Sequence, residues 1–242
     1  MSEKIVAQLS DIHIGGTYNG SFDCIGNLKK VVNDLSKLPH LDMLIISGDL
    51  CDNNSEDEYI ELQLQLHKLK MVFENLKIFA VGGNHDDFFK MVMFMNEVRV
   101  VEGSIGNFLF LNITDPTVGL SDYQKAMVIE HKPRNLVMHY PVGDCPHAFM
   151  HTEQHDIKNP VELGKFLVDN GVHDVFCGHY HNAYNSEYVE NVCPSVHIAP
   201  SIQTQLSPLS RTCHAHDKRP GYSLLTFDTM WELTQVKHIY LG

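Results

Sequence analysis

The chain has 242 residues and a mass of 27.5 kDa, which is within the range of one α/β or all-β domain. With 43% hydrophobic and 20% charged residues it can bury a full core, so global disorder is excluded. A formal net charge of −12 argues against binding polyanions by counterion release, and so against a general DNA or RNA coat. The 16 histidines beside one tryptophan suggest a metal hypothesis, because imidazole is a common metal ligand.

The six cysteines form no Cys-x-x-Cys pair and have no regular spacing. A zinc ribbon or a disulfide framework is therefore not indicated in a chain of this size. No signal peptide precedes the first strand-like run at Lys4–Leu9, and no apolar stretch approaches the ~20 residues that span a bilayer. These features predict a reduced, soluble, cytoplasmic protein that neither enters a membrane nor binds a nucleic-acid polymer.

Short apolar runs alternate with helical patterns along the chain. Buried strands are predicted at Lys4–Leu9, Met43–Ile46, Ile78–Val81, Phe108–Ile113, Leu136–Met138, Asp174–Cys177, Val196–Ile198, Tyr222–Phe227 and Leu233–Ile239. Apolar residues recur at helical spacing from Ile25 to Leu38, and capping-box sequences at Ser55–Glu58 and Ser121–Gln124 open two further helices. Strands interleaved with helices indicate an α/β fold, and the lack of repeats or linkers predicts one domain over residues 1–242.

Polar side chains follow five of the predicted strands at the points where they end. These residues are Asp11 and His13, Asp49, Asn84 and His85, His139, and His179 and His181. Open α/β sheets place their ligand crevices at the carboxyl ends of strands. In Asp11-x-His13 and His179-x-His181, the period of two of extended chain puts both side chains on one side. The sequence therefore predicts a polar cluster at the sheet edge.

The residue types in this cluster indicate metal chemistry. Two Asp, one Asn and four His are too many donors for one ion, and oxygen mixed with neutral imidazole suits Mn, Fe or Zn. They suit two ions that share a carboxylate, ~3.5–4 Å apart in such sites. Two such ions lower the pKa of a bridging water towards ~7 and stabilise the attacking and leaving oxygens, which is the apparatus of phosphoester hydrolysis.

The ordered set of motifs also resembles a known family. Asp11-x-His13, Gly48-Asp49, Gly83-Asn84-His85-Asp86, His139 and Gly178-His179-x-His181 resemble those of the calcineurin-like metallophosphoesterases in order and approximate spacing. Any single motif is weak, whereas the ordered set is specific. The resemblance implies a four-layer α/β sandwich, in which two mixed β-sheets are flanked by helices and the metals lie at one sheet edge.

The resemblance also assigns roles to individual residues. The first metal would be held by Asp11, His13 and His181, the second by Asn84, His139 and His179, with Asp49 bridging the two. His85 matches the family's non-ligand histidine, which contacts the phosphate and helps to protonate the leaving oxygen. His85 and Asn84 are thus the predicted catalytic residues. Asp52 and Asp86 are candidates for orienting His85 or a ligand.

Within the family the chain looks closest to the bacterial class III cyclic-AMP phosphodiesterases. The supporting segments are Gly48-Asp49-Leu50-x-Asp52 and the tail from Ala199-Pro200-Ser201 to Pro220-Gly221-Tyr222. The chain departs from relatives at Tyr140, where they often carry a second His, and in the His-rich loop that follows. The implied reaction is in-line attack of a metal-bridging hydroxide on a small-molecule phosphodiester, for which we predict a 3′,5′-cyclic nucleotide.

Three other functions stay open on the sequence. The same site could serve a broader-specificity metallophosphatase or another phosphodiesterase, a non-catalytic metal-binding interaction module, or a His-rich metal-storage protein. The spacing of His147, His151 and His155 suits a lid or third metal site on one helical face, but nearby prolines and a glycine favour a solvated loop. The apolar patch at Met91–Met95 is interpreted as core or as the contact of a homodimer.

Overall fold

The computed structural model describes residues 3–16, 23–113, 115–152 and 155–242. The elements within these ranges are β1 (Lys4–Leu9), α1 (Cys24–Leu35), β2 (Met43–Ser47), α2 (Glu56–Val72), β3 (Lys77–Val81), α3 (Phe88–Phe94), β4 (Arg99–Val100), β5 (Gly103–Ile105), β6 (Phe108–Phe110), α4 (Asp122–His131), β7 (Asn135–Val137), α5 (Pro160–Asp169), β8 (Asp174–Cys177), β9 (Tyr184–Asn185), β10 (Ser195–Ile198), β11 (Gln205–Leu206), β12 (Ala215–Asp217), β13 (Gly221–Phe227) and β14 (Leu233–Tyr240).

Two six-stranded sheets form the centre of the fold. The first has the order β14-β13-β1-β2-β3-β4, and the second has the order β5-β6-β7-β8-β10-β9. Both are mixed: β1, β2, β3 and β4 run parallel while β13 and β14 run antiparallel to their neighbours, and β6, β7, β8 and β10 run parallel between antiparallel edges. The parallel strands of each sheet therefore present their carboxyl ends at one edge.

The alternation of side chains along the strands divides the core into three apolar layers. In β2, Leu44 and Ile46 pack with α1 and α2, while Met43 and Ile45 face the other way into the layer between the sheets. In β8, Phe176 joins that same central layer, while Val175 and its alternate neighbours pack with α4 and α5. The order of layers is thus helices, sheet, sheet, helices, which confirms the predicted four-layer α/β sandwich.

Each strand and helix predicted from the sequence is present, with some differences in length. The apolar run from Phe108 to Ile113 is a strand only as far as Phe110. The prediction missed α3, α5 and several strands of two or three residues. Within the Met91–Met95 patch, Met91 and Met95 are buried in the core whereas Met93 is 68% exposed. Core packing is therefore confirmed for the two buried methionines.

Two further sequence predictions concern the cysteines and the membrane. None of the six cysteines, all of which lie in the described residues, forms a disulfide, and four of them are buried. Among the described residues, no helix combines the length and apolarity that crossing a bilayer requires.

Candidate active site

The carboxyl ends of the parallel strands from both sheets meet at one place. His139, after β7, places its Nδ1 2.8 Å from the carbonyl oxygen of Ser47 at the end of β2. The backbone N–H of His179, after β8, donates to both carboxylate oxygens of Asp11, at 3.1 and 3.2 Å. Gln8 of β1 donates through Nε2 to the carbonyl oxygen of Cys177, at 2.9 Å. These contacts join the two sheets at the edge where the sequence predicts the polar cluster.

One cluster of donors is formed by Asp11, His13, Asp49 and His181. One ligand atom from each lies within 4.8 Å of the others. The Nε2 of His13 is 3.0 Å from that of His181 and 3.5 Å from Oδ2 of Asp49, and Nε2 of His181 is 3.4 Å from Oδ1 of Asp11. Three of the four residues are buried, so the donors converge away from bulk solvent.

A second cluster shares Asp49 with the first. Asp49, His139 and His179 also offer ligand atoms within 4.8 Å of one another. The Nε2 of His139 is 3.3 Å from Oδ2 of Asp49 and 3.1 Å from Oδ1 of Asn84, which brings the amide oxygen to the same place. All seven residues predicted as ligands are therefore brought together, in two groups with one common carboxylate.

Each histidine of the two clusters is oriented by a hydrogen bond of its other ring nitrogen. Nδ1 of His139 faces the Ser47 carbonyl, and Nδ1 of His181 lies 3.3 Å from the carbonyl oxygen of Thr204. His179 is reversed, with Nε2 2.7 Å from the carbonyl oxygen of His155. Such partners fix the tautomer and aim the remaining nitrogen, an arrangement typical of metal-bound histidine.

The pKa shifts of three of the donors also suit cations. Burial, and after it the nearby imidazole of His139, lowers the pKa of His179 to about 3. Burial and the imidazole of His13 do the same to His181, so both rings keep a free lone pair. Burial works to raise the pKa of Asp49, but the imidazoles around it, His139 first, hold that pKa well below its usual range. Against the effect of burial, the hydrogen bond to Asp52 raises the pKa of His13 and the charge of Asp49 raises that of His139 to about 9, so a cation would displace a proton from each of these rings. Carboxylate oxygen and imidazole nitrogen are donors that fit divalent Mn, Fe or Zn, so the residues present fit the metals that the sequence predicts.

His85 lies beside the two clusters and is more exposed, with 44% of its side chain accessible. Its Nδ1 is 3.0 Å from Oδ1 of Asp52, and the same oxygen is 2.6 Å from Nδ1 of His13. The hydrogen bond to Asp52 raises the pKa of His85 despite partial burial. Its backbone N–H also donates to Oδ1 of Asp49, at 2.9 Å. Asp52 therefore touches both a clustered histidine and the exposed one.

Asp86 holds the loops rather than a histidine. Its carboxylate accepts hydrogen bonds from the backbone N–H groups of Leu50, Cys51 and Gly83, at 2.9–3.2 Å. Burial and the nearby charge of Asp49 raise its pKa to about 6, against the effect of those hydrogen bonds. The sequence offers Asp52 and Asp86 as candidates for orienting a histidine. In the structure Asp52 contacts His85, whereas Asp86 binds the backbone of the loops.

Two glycines allow the loops to approach this closely. At Gly48, where φ is +100°, a Cβ would lie 2.3 Å from Nδ1 of His139. At Gly83 a Cβ would lie 2.2 Å from Oδ1 of Asp49. Both distances are far shorter than any van der Waals contact, so a side chain at either position would displace a cluster residue.

A cavity of about 570 Å³ opens onto the site. Besides cluster residues it is lined by Phe149, Met150, His155, Gln203, Thr204, Leu206 and Cys213, most of which have no sequence motif around them. The segment that carries His147, His151 and His155 forms no helix in its described part, residues 147–152 and 155. It is not a solvated loop either, because His147 is 3% exposed and its ring packs edge-on against Tyr180.

The fold and the site together define a metal-dependent phosphoester hydrolase. The chain belongs to the calcineurin-like phosphoesterase family, whose model matches residues 5–183. It is 28% identical over 231 residues to a Fibrobacter succinogenes protein named as a probable cyclic nucleotide phosphodiesterase, covering 86% of this chain and 84% of that protein. It is 24% identical over 250 residues to a 3′,5′-cyclic-nucleotide phosphodiesterase of Nostoc, covering 93% and 89%.

A solved structure supports the fold alone. The purple acid phosphatase PPD1 of yellow lupin superposes with a TM-score of 0.62 at 14% identity, over 99% of this chain. The chain spans about half of the length of that phosphatase, 54%.

Proposed function

We propose that this chain is a dinuclear metallophosphodiesterase that hydrolyses a 3′,5′-cyclic nucleotide. The observation that carries the proposal is the position of Asp49. Its carboxylate is 2% exposed and lies within 3.5 Å of Nε2 of both His13 and His139, at the one point that the two donor clusters share. A buried carboxylate common to two sets of imidazole and oxygen donors is what a pair of bridged cations requires.

The ligand assignment follows the two clusters. Asp11, His13 and His181 would hold one ion, Asn84, His139 and His179 the other, and Asp49 both. When bound, two such ions lower the pKa of water and draw charge from a phosphate ester. They also supply the local positive charge that attracts an anionic substrate to a chain whose formal net charge is −12.

His85 is proposed to donate the proton that the leaving oxygen needs. An alkoxide leaves poorly unless its developing charge is met by a proton or a cation. His85 lines the cavity, is partly exposed, and has its pKa raised by Asp52, so it can reach a substrate in its protonated form. Asn84, the second predicted catalytic residue, precedes it in the same loop, and its Oδ1 faces the ligand cluster.

The substrate class is supported by the relatives. Both are named as cyclic nucleotide phosphodiesterases, and the matches cover most of each chain. The cavity joins the donor clusters to a partly apolar lining, which suits a small molecule with one anionic end. We therefore place a free cyclic nucleotide, rather than a nucleic-acid polymer, at this site.

The test is hydrolysis by Mn-reconstituted protein of 3′,5′-cyclic AMP, bis-p-nitrophenyl phosphate and p-nitrophenyl phosphate. Efficient turnover of cyclic AMP is the expected result. Turnover of the synthetic diester alone would retain the dinuclear chemistry and overturn the substrate, and preference for the monoester would favour a phosphatase. Two bound ions with no turnover of any ester would favour a non-catalytic binding module.

Asp49→Ala tests the bridging assignment directly. Both ions should be lost, or one retained weakly, and activity should fall at least 10³-fold, on the order of several kcal/mol of transition-state stabilisation. Metal content is measured by elemental analysis after desalting. Asp122→Ala is the matched control, since that carboxylate is fully exposed on α4. Native metal content in Asp49→Ala would contradict the bridge.

A further inference from the structure

The cavity has a second set of lining residues that the proposed chemistry does not use. Phe149, Met150, Leu206 and Cys213 are apolar or weakly polar, and His155 adds a second aromatic ring. These side chains come from two segments of the chain, residues 149–150 together with 155 and residues 203–213, which lie outside the five metal-site motifs. An apolar lining beside an ion-binding cluster is suited to a ligand with one charged and one apolar part.

Both segments are attached directly to residues proposed as ligands. The carbonyl oxygen of His155 receives the hydrogen bond from Nε2 of His179, at 2.7 Å. The backbone N–H of Leu206 donates to the carbonyl oxygen of His181, at 2.7 Å, and that of Gln203 to the carbonyl oxygen of Asp11, at 3.1 Å. The apolar lining therefore begins one hydrogen bond away from the donor clusters.

The first segment is also fixed by hydrogen bonds to residues that do not line the cavity, so its aromatic side chains have a defined position. Met150 is 7% exposed, and its backbone N–H donates to Nδ1 of the buried His147, at 3.2 Å. The backbone N–H of Ala148 donates to the carbonyl oxygen of Pro208, at 2.8 Å, which ties the two lining segments together. A preorganised wall can bind a ligand without the cost of ordering a loop.

Phe149 and His155 form an aromatic pair within this wall. Their ring centroids are 4.8 Å apart with an interplanar angle of 45°. Phe149 is only partly buried, and its ring is available to the cavity that it lines. A partly exposed ring in a cavity offers a flat apolar face to a planar ligand.

We propose that Phe149, supported by His155, is the surface on which the nucleobase of the substrate stacks, and that it makes this site select base-bearing cyclic phosphodiesters. The inference rests on the proposed function and adds to it the residue that determines substrate class. Because stacking is tolerant of base identity, cyclic AMP and cyclic GMP are both expected as substrates.

The test compares cyclic AMP with its base-free analogue, 1,4-anhydroribitol 3′,5′-cyclic phosphate, which has the same ring diester. Wild-type protein should prefer cyclic AMP in kcat/KM. Phe149→Ala should lower kcat/KM for cyclic AMP by about 10- to 100-fold, as expected for loss of one base–aromatic stack, while the base-free analogue changes less than about twofold. Phe149→Tyr should restore the preference. Tyr123→Ala, an exposed aromatic on α4, is the matched control.

Binding of products gives a readout that does not depend on turnover. By calorimetry with the Mn-loaded protein, Phe149→Ala should weaken binding of AMP and leave binding of inorganic phosphate unchanged. Equal loss for AMP and phosphate, or equal loss of activity on both diesters, would overturn the stacking role and indicate a disturbed metal site. A wild-type protein that hydrolyses both diesters equally well would overturn this inference while the proposed function stands.

Substitutions at His155 distinguish an aromatic supporting role from a role of the imidazole in contacting the phosphate. If its ring supports the wall as an aromatic surface, His155→Phe keeps the preference for cyclic AMP, whereas His155→Ala lowers it. Loss of activity on the base-free analogue in His155→Phe would instead indicate that the imidazole contacts the phosphate, and the supporting role would be wrong.

Discussion

At the scale of single residues, the backbone of the site is held in a conformation that L-amino acids rarely adopt. The angle φ lies between 48° and 69° at five of the seven proposed ligands, namely Asp11, His13, Asp49, His179 and His181. Each such residue costs about 1–2 kcal/mol and persists only where its surroundings enforce it. Here the N–H groups of Ile12 and His13 both donate to the carbonyl oxygen of Asp49, at 2.8 and 3.0 Å. The loops therefore fix one another and aim the donors.

Asp52 is predicted to act on the leaving group through His85. Asp52→Asn preserves the shape of the side chain and removes the charged hydrogen-bond acceptor that raises the pKa of His85. The pKa of His85 should therefore fall, and the alkaline limb of the kcat–pH profile should move to lower pH, because the protonated ring is the form that acts. We expect kcat for cyclic AMP to fall about 10²-fold.

The loss should be smaller for bis-p-nitrophenyl phosphate, because p-nitrophenolate leaves without a proton. Asp57→Asn, an exposed carboxylate on α2, is the control. An unchanged alkaline limb, or an equal loss on both esters, would show that Asp52 serves only to hold His13, which it also contacts at 2.6 Å.

At the scale of elements, α2 and α4 begin with the same kind of capping box. Substitutions in the two boxes therefore allow effects on stability to be separated from effects on activity. On α2, Oγ of Ser55 accepts from the N–H of Glu58, and the Glu58 carboxylate accepts from the N–H groups of Ser55 and Asn53, all at 3.1–3.3 Å. On α4, Ser121 and Gln124 form the same capping box. Ser→Ala at either cap should lower the free energy of unfolding by about 1 kcal/mol, measured by urea denaturation.

Only the cap on α2 is expected to affect catalysis. Glu58 also binds the Asn53 side chain, at 2.6 Å, in the loop that follows Asp52. Glu58→Ala should therefore lower kcat severalfold, whereas Gln124→Ala should change stability alone. Equal kcat values for these two variants would show that the loop keeps its position without the helix cap.

The elements also show where prediction from sequence succeeds. The bounds of β1 and β8 are those that the sequence predicts, because each is a short segment rich in apolar residues of the kind that parallel strands bury on both faces. The helix α5 is absent from the prediction although Asn159 and Pro160 are residue types common at helix starts; in the structure Asn159 is left-handed and makes no side-chain capping bond. Strands of two residues, such as β9, carry no periodicity of their own and depend on the neighbour with which they pair.

The residues of the site likewise fall into those whose place could be predicted from the sequence and those whose place could not. The convergence of the proposed ligands could be predicted, because each follows a recognisable strand and their order along the chain is specific. The wall at Phe149 could not, because its position depends on hydrogen bonds between residues distant in sequence, such as His155 with His179 and Ala148 with Pro208. The histidine spacing in that segment signalled an unusual loop but neither its path nor its aromatic partner.

At the scale of the whole molecule, buried carboxylates lie where the two sheets meet. Asp11 and Asp49 are 0% and 2% exposed, and each contributes to a donor cluster formed by both sheets. Burial, and the nearby charge of Asp49, raise the pKa of Asp11 despite its histidine neighbours. Cations at this junction would relieve that repulsion and join the sheets, so metal binding and global stability should be coupled.

Removing the metals is therefore expected to lower the melting temperature of the whole chain. At a free metal concentration ~100 times Kd, one site stabilises the native state by about 2.7 kcal/mol. For a chain of this length that corresponds to a shift of roughly 5–10 °C between Mn-loaded and chelator-treated protein, measured by calorimetry. Asp49→Asn removes the carboxylate whose ionised form the surrounding imidazoles stabilise, so it should lower the melting temperature of the chelated protein and shrink the metal-dependent shift. Asp122→Asn, at an exposed position, should leave the shift unchanged. If Asp49→Asn retained the full shift, the stabilising ions would bind elsewhere, and metal binding would not be what stabilises the junction of the two sheets.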